Sequence, residues 1–246
     1  MDILSIVGFT LAIGAVLVGQ LLEGGHVSSL MNGPAFVIVF GGTIGAAMLQ
    51  SSLTTFMDAL KCAVWVFVPQ IPRFDEAIET IVGWSEIARS EGLLALEELI
   101  EGEQDDFRRL GLQLLVDGND GDQIRQVLEQ QAIVDESRYV DAAKVYEAMG
   151  GYAPTVGILG AVLGLIHVME NLADPSALGS GIAAAFVATI YGVGAANLLF
   201  LPLGNKIKSI TEKKAAFSFM YVEGLVGISV GDNPRNLRLK LEAHSS

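Results

Sequence analysis

Charged and apolar positions are segregated along this chain rather than interleaved. Four stretches, roughly 3–22, 34–49, 152–172 and 182–203, hold no Asp, Glu, Lys or Arg apart from Glu170 near one end. An α-helix rises about 1.5 Å per residue, so about 20 residues cross about 30 Å of hydrocarbon. Each stretch approaches that length, and the pattern predicts four transmembrane helices. The third and fourth, joined by a short turn, make a hairpin over 150–203 that is crowded with small residues: Gly157, Gly160, Ala161 and Gly164, then Ala184, Ala188, Gly192 and Ala196. Gly8, Ala12, Ala15 and Gly19 recur in the first span, and Gly41, Gly42, Gly45 and Ala46 thin the second. Helices in lipid associate by close packing, which small residues permit. These faces either pack the chain's own four helices together or receive a helix from a partner.

Between 54 and 149 the pattern changes. Phe74, Ile78, Ile81 and 85–88 follow helical spacing, as do Phe107, Leu110 and Leu114. This predicts about five short helices and no sheet, with Asp75 and Asp135 as N-caps and a turn at 118–121. The tail, 204–246, is predicted to be helical at first and broken near 231–234. The fold class is therefore an all-α polytopic membrane protein. Its segments are 1–53 (transmembrane helices 1 and 2 with a short periplasmic loop), 54–149 (a helical cytoplasmic domain), 150–203 (transmembrane helices 3 and 4) and 204–246 (a cytoplasmic tail).

Composition sharpens this reading. The chain is 51% hydrophobic yet 17% charged, as apolar blocks separated by charged ones require. Its net charge of -13 points away from nucleic acid, which needs a basic surface. The single Cys62 excludes an internal disulfide and leaves no cysteine cluster for a metal. The start, Met1-Asp2-Ile3-Leu4, lacks a basic n-region, so the first span is read as retained. Of the fifteen Lys and Arg, eight fall in 54–149 and seven in the tail, while the loops 23–33 and 171–180 hold none. Positive residues stay on the cytoplasmic side, which places both termini in the cytoplasm of a multi-pass inner-membrane protein.

The spans offer no carboxylate near the bilayer midplane, where a charge is costly and marks an ion path. If ions pass, a partner helix supplies the titrating group. Thr155, Thr189 and Asn197 are the uncharged polar groups of the hairpin; each has the alternative of bonding its own helix backbone. Pro154 and Pro202 bracket the hairpin. Pro154 can sit in a first helical turn, whereas Pro202 would kink or end a helix; both are punctuation or a hinge. His167 and Glu170 can pair near the outer end. Arg89, Glu97 and Glu98 flank the turn at 90–92 and offer either a solvated face or a docking surface of both signs. The three histidines lie in a loop, a span and the tail, and no nucleophile–base set emerges, so enzymatic chemistry is not expected.

Taken in order, several short motifs resemble the flagellar motor stator A-subunits, the MotA/PomA family including its MotC-like members, over essentially the whole chain. They are Gly14-Ala15-Val16-Leu17-Val18-Gly19 with Glu23-Gly24-Gly25, then Gly41-Gly42-Thr43-Ile44-Gly45-Ala46, then Ala88-Arg89 through Gly92-Leu93-Leu94-Ala95-Leu96-Glu97, and Leu115-Val116-Asp117-Gly118. Ala153-Pro154-Thr155-Val156-Gly157, Ala188-Thr189-Ile190-Tyr191-Gly192, Glu223-Gly224 and Asn233-Pro234-Arg235 complete the series. The resemblance implies a homo-oligomer of five copies around two copies of a B-type stator subunit, whose single transmembrane helix carries an Asp. It implies no cofactor, H+ as the transported ion, and a rotor switch-complex protein as the second partner. It places Arg89 and Glu97, with the neighbouring Glu98, at the rotor contact, Pro154 and Pro202 in torque coupling, and Thr189 on the ion path beside Thr155 and Ala161. Sodium-driven relatives carry threonine where this chain has Ala161, so the resemblance implies proton drive. Ser90 departs from the basic residue that sodium-type members often place after the loop arginine.

Two other readings compete. An energiser subunit of the ExbB/TolQ type would also form a proton channel with a partner Asp, but usually has three spans. A membrane scaffold without ion flux would not need the ordered hairpin motifs.

Overall fold

A computed structural model of the chain describes residues 2–69, 71–172 and 175–243. Among them there is no strand. Helix α1 (Ile3–Leu22) begins at Asp2, whose carboxylate accepts the Ser5 N–H at 3.3 Å. Helix α2 (Gly33–Gln50) begins at Asn32, whose side chain accepts the Ala35 N–H at 2.9 Å. Pro34 sits in its first turn, where the missing N–H costs nothing. Then follow α3 (Leu53–Phe67), capped by Ser52, α4 (Phe74–Glu91), α5 (Glu97–Gly102) and α6 (Asp106–Val116), capped by Asp105. Helix α7 (Gly121–Glu170) follows a turn in which Gly118 takes φ +76, and Asp120 accepts the Gln123 N–H at 2.8 Å. Helices α8 (Pro175–Ala195) and α9 (Leu201–Ser229) are joined by a π-turn at Ala196–Phe200. After Gly231, with φ +73, α10 (Pro234–Glu242) closes the described chain.

Among the described residues, four helices are long and apolar enough to cross a membrane: Ile3–Leu22, Gly33–Gln50, Gly121–Glu170 and Leu178–Ser229. The four predicted spans are all present, and the first matches in its limits. The other expectations need correction at particular residues. Asp75 is not a cap: α4 begins after Arg73, and Asp75 lies in its first turn beside Glu76, where an acidic residue still favours the helix dipole. Asp135 caps nothing. It lies inside α7, because Asp120 starts that helix and no glycine or proline intervenes before Gly150. For the same reason Pro154 is not in a first turn but well inside α7. On α6 the buried face is Gly111, Leu112 and Leu115, whereas Phe107, Leu110 and Leu114 are only partly buried.

Packing divides the chain into two units, 1–69 with 139–209 and 70–138 with 210–246. This differs from the segments drawn on charge. Helix α3 and residues 139–149 and 204–209 pack with the spans, because Cys62, Ala142, Ala143, Tyr146 and Ile207 share one buried cluster with Ala153, Ala196 and Phe200. The Tyr146 hydroxyl donates to the Ala59 carbonyl at 3.0 Å in that cluster.

In the first unit α7 and α8 meet backbone to backbone. A Cβ on Gly192 would lie 2.5 Å from the Ala153 carbonyl oxygen, and one on Gly157 would lie 2.9 Å from that of Ala188. Gly164 faces the Gly181 carbonyl in the same way at 3.1 Å. In the second unit the core is made of large side chains: Ile81, Leu96, Leu112, Leu115, Ile124, Leu128, Met220, Tyr221, Leu225, Leu237 and Leu241 are fully buried. Within that unit Arg125 bonds both Glu129 and Glu223, and Arg238 grips Glu79 with both guanidinium nitrogens.

Candidate functional site

The glycine contacts set the level of each hairpin residue. Gly157 packs on both Ala188 and Gly192, and Gly192 packs on Ala153. Thr155 lies between Ala153 and Gly157, level with Gly192, and Thr189 lies next to Ala188, level with Gly157 and Gly160, so the two threonines stand on facing helices about one turn apart. Ala161, half-buried, follows Thr155 by about 9 Å along the helix. Thr155 is exposed and its hydroxyl donates to the Tyr152 carbonyl at 2.8 Å. Thr189 is half-buried and donates to Ala185 at 3.2 Å. The Asn197 amide donates to Val193 at 2.9 Å. All three thus take the backbone bond that polar groups in apolar helices can find locally. A hydroxyl that has donated its proton keeps its oxygen free to accept, so the bond does not remove Thr155 or Thr189 from a polar path.

The hairpin is packed on one side only. Ile158, Leu159, Val162 and Ile166 on α7, with Ile182, Phe186, Ile190 and Val193 on α8, remain exposed. These are spaced by three and four residues, which puts those of each helix on one face. Glu170 continues the α7 row at its end, and no other described residue of this face is charged.

Pro154 and Pro202 lie within one turn of a common contact, because a Cβ on Gly150 would meet the Leu201 side chain at 2.5 Å. Pro154 cannot donate to Gly150, its partner four residues back. At Pro202 the loss is larger. The π-turn spends the Leu201 N–H on Ala196, and residue 202 has no N–H, so the Asn197 carbonyl loses both of its ordinary donors. A π-turn followed at once by proline is a site at which helices bend.

The loop charges are in the second unit. Arg89 ends α4, Glu97 and Glu98 begin α5, and all three are exposed. Each sits at the helix end that suits its sign. Between them Gly92 takes φ +91 and Leu96 is fully buried in the 3-10 turn Leu93–Leu96, which fixes the turn to the core. No ion pair engages Arg89, Glu97 or Glu98 among the described residues. Glu97 also edges an acidic cleft of about 320 Å3 with Glu101 and Asp117.

His167 does not pair with Glu170. Asn171 takes that place, donating to the His167 carbonyl at 2.8 Å with the ring nitrogen at 3.5 Å. His244 lies outside the described residues. Sequence reasoning missed two polar fixtures. The Tyr191 hydroxyl donates to the Leu30 carbonyl at 2.5 Å and accepts the Asn32 N–H at 3.3 Å, tying the first loop to α8. Asp2 pairs with Lys206 at 2.5 Å. The signal for the first was a tyrosine inside an otherwise apolar span, whose hydroxyl must find a partner.

Residues 6–91 match the family model described as Motility protein A N-terminal, and residues 100–217 match that of the MotA/TolQ/ExbB proton channel family. Motility protein A of Helicobacter pylori is 33% identical over 98% of this chain and 94% of its own length. The solved structure of C. jejuni MotAB matches with a TM-score of 0.94 at 33% identity, covering 100% of this chain and 96% of that one. That of the flagellar MotAB stator complex from Bacillus subtilis matches with a TM-score of 0.86 at 33% identity, over 98% and 95%. The second family model embraces the ExbB/TolQ energisers, but the N-terminal model and the end-to-end matches do not leave the choice open. This four-helix membrane protein belongs to the motility protein A family of flagellar motor stator subunits.

Proposed function

We propose that this chain assembles with copies of itself and a single-span B-type partner into an inner-membrane unit that turns ion flow into torque. The observation that carries the reading is the apolar exposed face of the α7–α8 hairpin in a chain matched end to end by MotAB structures. The face is apolar along its length and its one carboxylate, Glu170, stands at its end, so the partner brings the carboxylate of the midplane. Both termini lie in the cytoplasm, in accord with the distribution of Lys and Arg, and the family resemblance implies five copies around two partner helices.

In this reading the ion is H+. Thr155 and Thr189 offer hydroxyl oxygens about a turn apart on facing helices, and Ala161 offers none, which leaves too few oxygens to replace the shell of a sodium ion. Passage of the ion bends α7 and the α8–α9 junction at Pro154 and Pro202. Arg89, Glu97 and Glu98 then engage and release the rotor's switch-complex protein through exposed, salt-sensitive contacts.

The deciding experiment is swimming and flagellar staining in a strain lacking this gene and any paralogous stator genes. Intact but paralysed flagella, rescued by restoring this chain with its partner, support the reading. Rescue failing while the protein is present in the membrane would move the weight to the energiser function, with outer-membrane transport as the next assay. Swimming speed that tracks external Na+ and survives a protonophore would overturn H+ as the ion. Reversing the charge of Arg89 or Glu97 should weaken motility, with partial restoration by a reversal in the rotor protein. Unchanged swimming in both would leave these charges as a solvated face.

A further inference from the structure

Helix α1 is the least anchored element of the first unit. None of its residues is buried. A cavity of about 340 Å3 separates it from the α8–α9 junction, lined by Gly8 and Phe9 on one side and by Asn197, Leu199, Pro202 and Lys206 on the other. A polar knot stands at the edge of this cavity, where Ser5 and Lys206 line it. The Asp2 carboxylate accepts from Ser5 and pairs with Lys206 at 2.5 Å, while the Asp2 N–H donates to the Phe67 carbonyl at 2.9 Å. Asp2 therefore joins the starts of α1 and α9 to the end of α3. Its carboxyl is held down to about 2, chiefly by the Lys206 bond, so the pair is intact wherever the cell swims.

Lys206 lies one turn beyond Pro202 and on the same face, directly past the point at which the helix lacks backbone bonds. A bend at Pro202 displaces Lys206 with the first turn beyond it. We propose that Asp2 and Lys206 are positioning residues of the drive: their ion pair makes α1 follow the α9 segment, so that a bend at Pro202 moves a two-helix unit rather than one helix sliding past another. This rests on the stator reading given above.

The test uses cells that lack their own stator genes and express this chain with its partner. Asp2→Asn removes the charge and keeps the helix cap, since asparagine caps as well as aspartate. Lys206→Gln removes the other charge, and Lys206→Arg keeps it. The readout is the rotation rate of a single motor as stators join it one by one. The height of each speed step reports torque per stator, and the number of steps reports assembly. Both single neutralisations are expected to lower the step height severalfold with the number of steps retained. Lys206→Arg should restore it, and the double variant should be no worse than the weaker single, because the two residues act as one. Unchanged step height in either neutralisation, fewer steps of normal height, or losses that multiply in the double variant would overturn the proposal. A total absence of steps with the unaltered chain would instead overturn the stator reading itself.

Discussion

The two packing units bury different kinds of residue, and the difference tracks the solvent each is built for. In the first, the buried positions are largely alanines, among them Ala35, Ala47, Ala142, Ala153, Ala188 and Ala196, and large apolar side chains such as Leu4, Leu11, Phe186 and Met169 point outward. In the second, Trp84, Leu112, Met220, Tyr221 and Leu225 are inside, and the exposed surface carries ion pairs. Water drives large apolar groups inward at about 25 cal/mol per Å2. Lipid offers no such drive, so packing there depends on how closely backbones approach. The comparison can be broken at the α7–α8 contact. Gly192→Val should abolish assembly and swimming, since even one added carbon meets the Ala153 carbonyl at 2.5 Å. Gly194→Ala, two residues on and open within 4 Å, should leave both intact. Membrane abundance and motility of the two variants check this. Equal behaviour would mean that small residues here are incidental.

The second unit should fail in the opposite way, by losing volume. Leu112 is fully buried in its core. Leu112→Ala should cost about 2–5 kcal/mol, the range for a leucine truncated in a packed interior. Thermal unfolding of the purified complex, or protease sensitivity of 70–138, measures it. A shift too small to detect would mean that this unit is not held by its core.

The first unit's outline was legible because a bilayer imposes length and charge rules that a single sequence displays. Span 1 is Ile3–Leu22 in both the pattern and the structure, and the family follows from short motifs in order. Three things were not legible. The start of α7 was placed too late, since periodic apolar positions in 121–150 look the same whether one helix or two carries them. The π-turns at Val37–Gly41 and Ala196–Phe200 each add one residue to a helix, too little to disturb an apolar run. The Asp2–Lys206 pair joins residues at opposite ends of the first unit's sequence, and nothing local marks either as a partner. Of the site residues, the pattern gave Arg89, Glu97 and Glu98 as exposed charges at a turn, which is where they lie. It could not give the relative levels of Thr155 and Thr189, which depend on the register of Gly157 against Ala188.

A smaller effect comes from Tyr221. Its hydroxyl is buried without a hydrogen-bond partner, with the Arg108 guanidinium centre 5.5 Å from the ring. Burial raises the hydroxyl's pKa well above the ordinary tyrosine range, so it stays protonated. An unpartnered buried hydroxyl costs folding free energy. Tyr221→Phe should therefore leave the unfolding midpoint of the second unit unchanged or slightly higher. A clear loss would show that the hydroxyl has a partner that stabilises the fold, with the adjacent Arg108 guanidinium the first candidate.

The smallest effect belongs to the surface of the second unit. Arg238 lowers the pKa of Glu79 below its ordinary 4.5 by bonding both carboxylate oxygens. Since the folded value is the lower one, the unfolded chain takes up the proton first. The pair's contribution is complete above pH 4.5 and is lost as pH falls through the folded value. Both side chains are substantially exposed, so salt screens the pair and its worth is slight. Glu79→Gln should thus lower the unfolding midpoint a little at pH 7 in dilute buffer, and hardly at all at high salt or in strong acid. The same variant in the first unit's terms would be Asp2→Asn, where the paired residue also caps a helix at the edge of a cavity. If Glu79→Gln proved as damaging to torque as Asp2→Asn, the distinction between a surface pair that decorates α10 and a clasp that positions α1 would fail.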